Sequence, residues 1–174
     1  MSDISLNKSN VLKKLLILSL LTAISVILER FLGYNDRVLS VSIAFLPIAL
    51  AGMLYGVIPA VVVSALADLI GAALFPSGPL DFRFTAIAAV KGAIYGLFLH
   101  RKDLKKAHVL ICQLLVIVIC HLTLNTLVIS TIIGRGFFAL LPLRALKNLL
   151  MYPLEVFLIL KMIEYRPTFE RLTR

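Results

Sequence analysis

Charge is scarce in this chain, and acidic charge scarcest: 9 aspartates and glutamates stand beside 18 lysines and arginines, and charged residues make up only 16% of the 174. The two cysteines, Cys112 and Cys120, lie in one apolar run and form no Cys-x-x-Cys. That pattern offers neither a disulfide framework nor a redox motif, and such thiols are expected to pack as small hydrophobes. No Gly-x-x-x-x-Gly-Lys-Ser/Thr, His-Glu-x-x-His or Gly-x-Ser-x-Gly occurs. Neither nucleotide hydrolysis nor a standard hydrolase site can be written from these residues, and no metal or cofactor site is expected. Linkers, low-complexity tails and a soluble domain are missing as well.

What is there is apolar. Hydrophobic residues make up 60% of the chain, against roughly 45–50% in a soluble domain. Crossing ~30 Å of hydrocarbon takes about 17–25 apolar residues per helix. Such runs fall near 11–32, 38–54, 57–75, 82–99, 108–133 and 142–162, so the expected fold is an all-α integral membrane protein, a six-transmembrane-helix bundle forming one domain over 1–174. Lysines precede the apolar run from Leu15 to Leu28, as in a signal peptide, but it ends "LERFLGY" with no small-residue cleavage site. The first run is therefore expected to stay as a span.

The net charge of +9 could point to nucleic acid, but that use needs a solvated, clustered basic surface. Orientation explains it better. With the N-terminus inside, eleven lysines and arginines fall on the cytoplasmic side, five fall outside (Arg30, Arg37, Arg83, Arg135 and Arg144), and Lys91 and Lys147 lie within spans. By the positive-inside rule both termini are expected in the cytoplasm.

Ionisable groups inside a span are rare and usually face a cavity or one another. At 1.5 Å per residue, Asp68, Lys91, Asn125, Lys147 and Asn148 all lie about 7–12 Å below the outer ends of their helices. This level reads as the floor of a pocket open to the outside. Asp68 either accepts hydrogen bonds from a ligand or pairs with Lys91. Arg144, Lys147, Asn148 and Tyr152 recur at i, i+3, i+4 and i+8, one helix face. The turn "FPSGPLDF" lies above that level, with Phe75, Pro76, Ser77 and Gly78 as a candidate wall or lid and Phe82 and Phe84 beside it. Arg30, Arg83, Arg135 and Arg144 are expected to make a cationic mouth. A buried carboxylate, amides and cations suit a ligand with a planar donor edge at one end and carboxylates at the other. Phe75, Phe82, Phe84 and Tyr152 are candidates for stacking on it. Ala88, Gly92 and Gly96 form a small ridge for close helix packing, and Ser19, Ala23 and Ile27 recur at the same spacing on the first helix. Two further classes stand beside a binding module: a membrane-embedded enzyme using Asp68, Lys91 and His121, and a self-sufficient carrier, which is disfavoured because no paired, interrupted helices recur in the two halves.

The stretch "FLPIALAGMLYGVIPAVVVSALADLIGAALFPSGPLDFRFTAIAAVKGAIYGLFL", with "LPLRALKNLLMYPLE" downstream, resembles the folate-specific S component of energy-coupling factor (ECF) transporters. The likeness covers most of the chain and is densest over 45–99. It implies a non-enzymatic, multi-pass protein of a prokaryotic plasma membrane that binds folate or a related pterin vitamin from outside. The pterin would sit deep and the glutamate near the mouth. A separate module of two ATPases and a transmembrane coupling protein would power uptake. The resemblance also implies that Ser19–Ala23, standing where the family has an alanine-xxx-alanine pattern, docks against the coupling protein.

Overall fold

The structure, a computed structural model, describes residues 2–35, 40–75, 81–100 and 104–173. Among the described residues every regular element is helical except one two-residue ladder. Helix α1 (Ser2–Arg30) leads into β1 (Tyr34–Asn35) and β2 (Ser40–Val41), which pair antiparallel with Tyr34 opposite Val41 and Asn35 opposite Ser40. Helix α2 is Phe45–Tyr55.

The helix expected over 38–54 thus starts only at Phe45 and has 11 residues, about 16 Å long and too short to cross a bilayer alone. Serines account for the late start. Ser42 Oγ accepts from the Ala44 amide at 3.0 Å and donates to the Leu28 carbonyl at 3.3 Å. Ser25 Oγ donates to the Ala44 carbonyl at 3.0 Å. These side chains give the backbone before Phe45 partners other than a helical ladder.

Gly56 joins α2 to α3 (Val57–Leu74) in a single residue at φ 87°, ψ −162°, a conformation open to glycine and strained for any L side chain. Pro59 follows in the first turn of α3, where its missing N–H breaks no helical bond. Helix α4 (Phe82–Leu99) then packs tightly on α3. The Ala88, Gly92, Gly96 ridge is the contact: a Cβ at Gly92 would stand 2.5 Å from the Ala60 carbonyl oxygen, and one at Gly52 of α2 would stand 2.9 Å from the Gly96 nitrogen. Ser64 Oγ adds a 2.6 Å bond to the Ala88 carbonyl across the same interface.

Helix α5 (Lys106–Leu115), a π-helical stretch (Val116–Leu124) and α6 (Asn125–Ile133) form one rod over Lys106–Ile133. It stops at Gly134, which is left-handed at φ 71°. Helix α7 (Phe137–Glu164) returns with Pro142 and Pro153 inside it, and the short α8 (Arg166–Thr173), which the sequence does not lead one to expect, follows. Arg30 against Gly71 and Arg83 on Thr131 mark one end of the bundle; Gly56 against His100 marks the other.

The distribution of side chains is inverted relative to a soluble protein. Leu16, Leu74 and Leu149 are 62%, 66% and 70% exposed, whereas Gln113, Asn148 and Arg144 are 1%, 3% and 6% exposed. A hydrocarbon solvent selects this arrangement. Val11–Arg30, Val57–Leu74, Phe82–Leu99 and Lys106–Ile133 are each long and apolar enough to cross a membrane. The apolar core, which includes Met53, Tyr95, Leu99, Val109, Val116 and Ile159, gathers toward the Gly56 end. Cys112 and Cys120 are buried within it as free thiols.

Candidate functional site

The rod and α7 run antiparallel, and their polar contacts step along both at once: Arg144 meets His121, Glu155 meets Gln113 and Tyr152 meets Leu110. Nearest the Arg30 end, Arg144 Nη2 donates to the His121 carbonyl at 3.5 Å. The same oxygen accepts from Thr126 Oγ1 at 3.1 Å, and Thr123 Oγ1 bonds the Val118 carbonyl at 2.8 Å, both five residues back. That spacing is the π register, whose wider turn is often found at functional sites.

Lys91 lies on α4, which packs on the π stretch, and Lys147 lies one turn beyond Arg144 on the part of α7 that reaches His121. Lys147 Nζ donates to Asn148 Oδ1 at 3.3 Å, which swings its ammonium group over the buried side of α7. Asn125 stands one turn along the rod from His121, and its Oδ1 is buried with no donor among the described residues. Arg144, Lys147 and Asn148 of α7 and Asn125 of α6 thus stand on packed elements inside the bundle, with Lys91 on the neighbouring α4, where low polarity strengthens the hold on an anion.

Below this level lies a buried chain of hydrogen bonds. Tyr95 OH donates to Gln113 Oε1 at 3.0 Å, and Gln113 Nε2 donates to Glu155 Oε2 at 2.6 Å. Tyr95, Gln113 and Glu155 are 0%, 1% and 7% exposed. Sequence reasoning missed all three residues. The signal was present for Glu155, which follows Arg144 by eleven residues and Asn148 by seven, so all three share one helical face.

Several expected groupings come apart. Asp68 and Lys91 form no ion pair; Asp68 Oδ2 instead accepts from Thr85 Oγ1 at 2.6 Å. Equal depth did not mean equal direction: Thr85 lies on the α4 face that packs on α3, and Lys91, six residues on, points about 120° around the axis. The enzyme constellation Asp68, Lys91 and His121 is therefore divided, with the carboxylate on the far side of α4. Tyr152 leaves the Arg144 face: its hydroxyl bonds the Leu110 carbonyl at 3.1 Å, in the first turns of α5. Arg144 itself is 6% exposed and belongs to the interior, not to a surface mouth.

The outer arginines differ among themselves. Arg83 is clasped by Asp81 through its Nη2 at 2.5 Å and its Nε at 2.8 Å, and reaches Thr131 Oγ1 at 3.1 Å. The guanidinium holds the Asp81 carboxyl below its usual range, while the same carboxylate caps α4 by accepting from the Arg83 amide at 3.0 Å. Arg135 is exposed. Arg30 lies along Gly71 of α3, where a Cβ would stand 3.0 Å from its Nε. Phe75 stacks edge-on with Phe31 at 5.2 Å between ring centres, and Phe84 is half-buried. Pro76, Ser77 and Gly78 lie outside the described residues. On α1, Ser19, Ala23 and Ile27 are exposed while Leu21, Thr22, Ser25 and Val26 are buried.

Known proteins resemble this chain along most of its length. Residues 13–164 match the family model described as "ECF transporter, substrate-specific component". A folate transporter FolT of Clostridium novyi (strain NT) is 28% identical over 142 residues, 82% of this chain and 83% of that one. A folate transporter FolT of Leuconostoc mesenteroides subsp. mesenteroides is 29% identical over 150 residues, 83% of this chain and 80% of that one. Among solved structures, FolT bound with folic acid superposes with a TM-score of 0.79 at 32% identity, covering 84% of this chain and 89% of that one.

Proposed function

Because this chain belongs to the substrate-specific components of ECF transporters, we propose that it captures folate, or a closely related pterin vitamin, from outside the cell. It crosses a prokaryotic plasma membrane six times, the short α2 together with the backbone of residues 40–44 before it, and keeps both termini in the cytoplasm. It is not an enzyme: it binds, and a module of two ATPases with a transmembrane coupling protein drives release inward.

The observation that carries this reading is the placing of Arg144, Lys147 and Asn148 on α7 against the rod that bears His121 and Asn125, with Lys91 on the neighbouring α4. Folate ends in a glutamate with two carboxylates, which ammonium and guanidinium groups bind through charge-assisted hydrogen bonds. Its pterin presents a planar edge of donors, for which Asn125 Oδ1 is an acceptor. Phe75 and Phe84 form the wall above, and Arg30 stands at the rim. On the other side, Ser19, Ala23 and Ile27 form the exposed ridge that docks the coupling protein.

Titration of the purified chain with folate and with a panel of unrelated vitamins tests this. Saturable folate binding without turnover is expected. Tight binding of a different vitamin with none of folate would overturn the ligand, and folate uptake by liposomes holding this chain alone would make it a carrier.

A further inference from the structure

Val118 and Leu127 of the rod are 45% and 47% exposed. They stand nine residues apart, which in an unbroken α-helix is a turn of about 900° and puts the two on opposite sides. The inward positions show the same discrepancy. Val109, Cys112, Gln113, Val116 and Cys120 form one buried stripe at α spacing. Continued at that spacing the stripe would pass through Thr123 and Leu127, yet both are exposed, and Thr126 is 0% exposed in their place. Asn125 follows Val118 by seven residues and Thr126 follows Ile119 by seven; in an α-helix each pair would share a face. Here Val118 and Ile119 face outward, whereas Thr126 and the Asn125 Oδ1 are buried.

The π stretch Val116–Leu124 accounts for the shift. Its bonds close five residues back: the Asn125 amide donates to the Cys120 carbonyl, and the hydroxyls of Thr123 and Thr126 return to the carbonyls of Val118 and His121. A wider turn advances through a smaller angle per residue. The rod beyond it therefore lags behind the phase set by α5, and the buried stripe passes from Cys120 to Asn125 and Thr126. Arg144 of α7, on the His121 carbonyl, meets the widened turn from the facing helix.

We propose that the π stretch is the positioning element of the folate site: by taking up extra length in the rod it turns Asn125, which an unbroken α-helix would present to the lipid, into the bundle, with its buried acceptor toward the ligand. The proposal rests on the folate reading of the site. It gives the nine-residue stretch a task that a plain apolar span could not perform. Asn125 touches the ligand, and the π stretch acts through it.

The extra length is slack, and slack makes the response to a change of length asymmetric. Two variants test it, deletion of Ile119 and insertion of one alanine after Ile119, each read as melting midpoint without ligand and as folate affinity. Deletion lets the rod close toward the α register with Asn125 still inward, so folate affinity is expected to stay close to the parent's. Insertion exceeds the slack and turns α6 by about 100°, so affinity is expected to fall at least about tenfold, the size of one lost hydrogen-bonded contact. Folded variants that lose binding alike, as an ordinary α-helix rotated either way would, or that both keep it, would overturn the proposal. The phase itself is read without ligand. The chain has no tryptophan, so Val118→Trp and Leu127→Trp, made singly and placed in vesicles of brominated phosphatidylcholine, each report contact with lipid by quenching. Both are expected to be quenched; a shielded Leu127→Trp would mean an unbroken α-helix and would overturn the proposal whether or not the length variants fold. If a length variant does not fold, Asn125→Ala replaces the pair for the affinity reading, and affinity equal to the parent's would overturn the link from the π stretch to the site. A parent that binds no folate would sink the folate reading, while the tryptophan pair would still decide the phase of the rod.

Discussion

At the scale of the residue, Asp68 shows how a half-buried charge within a helix is made tolerable without a counter-charge. Its Oδ2 takes the Thr85 hydroxyl at 2.6 Å, a short neutral-to-charged bond worth about 1.5–3 kcal/mol. Asp68→Asn keeps an oxygen for that hydroxyl and leaves no lysine stranded. The protein is therefore expected to lose about 1 kcal/mol of stability, far less than the 3–5 kcal/mol of a broken buried ion pair. Chemical or thermal unfolding in detergent measures this. A collapse of the fold would mean that Asp68 does pair with a buried cation. The comparison of Asp68 with Glu155 also shows what the sequence could convey. Depth is legible, because a helix rises evenly, and so Lys91, Asn125, Lys147 and Asn148 can be set at one level from the sequence. Direction around α4 is not legible from one chain, because it depends on which neighbour the Ala88, Gly92, Gly96 ridge packs against. Glu155 was passed over because it lies near the end of its apolar run, where a carboxylate is ordinarily interfacial.

At the scale of the element, the α3–α4 contact is set by absence of side chains. A Cβ at Gly92 would stand 2.5 Å from the Ala60 carbonyl oxygen, and backbone on both sides leaves nothing flexible to yield. Gly92→Ala is expected to cost about 1–3 kcal/mol by overpacking and to weaken folate binding as well, since α4 carries Lys91. A melting midpoint equal to the parent's would show that the helices part easily. The ridge itself was legible as a four-residue spacing of small residues. The 11-residue length of α2 was not, because "VLSVSI" is apolar enough to read as helix while Ser25 and Ser42 bond its backbone from positions set by the tertiary fold. The π stretch Val116–Leu124 was equally hidden: nothing in an apolar run marks the change from a four- to a five-residue register until Arg144 and Thr126 converge on the His121 carbonyl.

At the scale of the whole molecule, two faces divide the work. On the proposed function the interior binds, while Ser19, Ala23 and Ile27, exposed on α1, dock the partner. A small ridge open to the exterior permits another helix to approach to backbone contact. Ala23→Trp is accordingly expected to abolish folate uptake in the presence of the ATPase module while leaving binding by the isolated chain unchanged. Retained uptake would remove α1 from the docking surface, and lost binding would mean that the ridge packs within the bundle. The central claim, that the cations inside the bundle form the folate site, is tested most directly by calorimetric titration of folate into the parent and Lys147→Met proteins side by side. A parent that binds and a folded variant at least tenfold weaker, the loss of one charge-assisted contact, is the result this account predicts; equal affinity in the two proteins would contradict it.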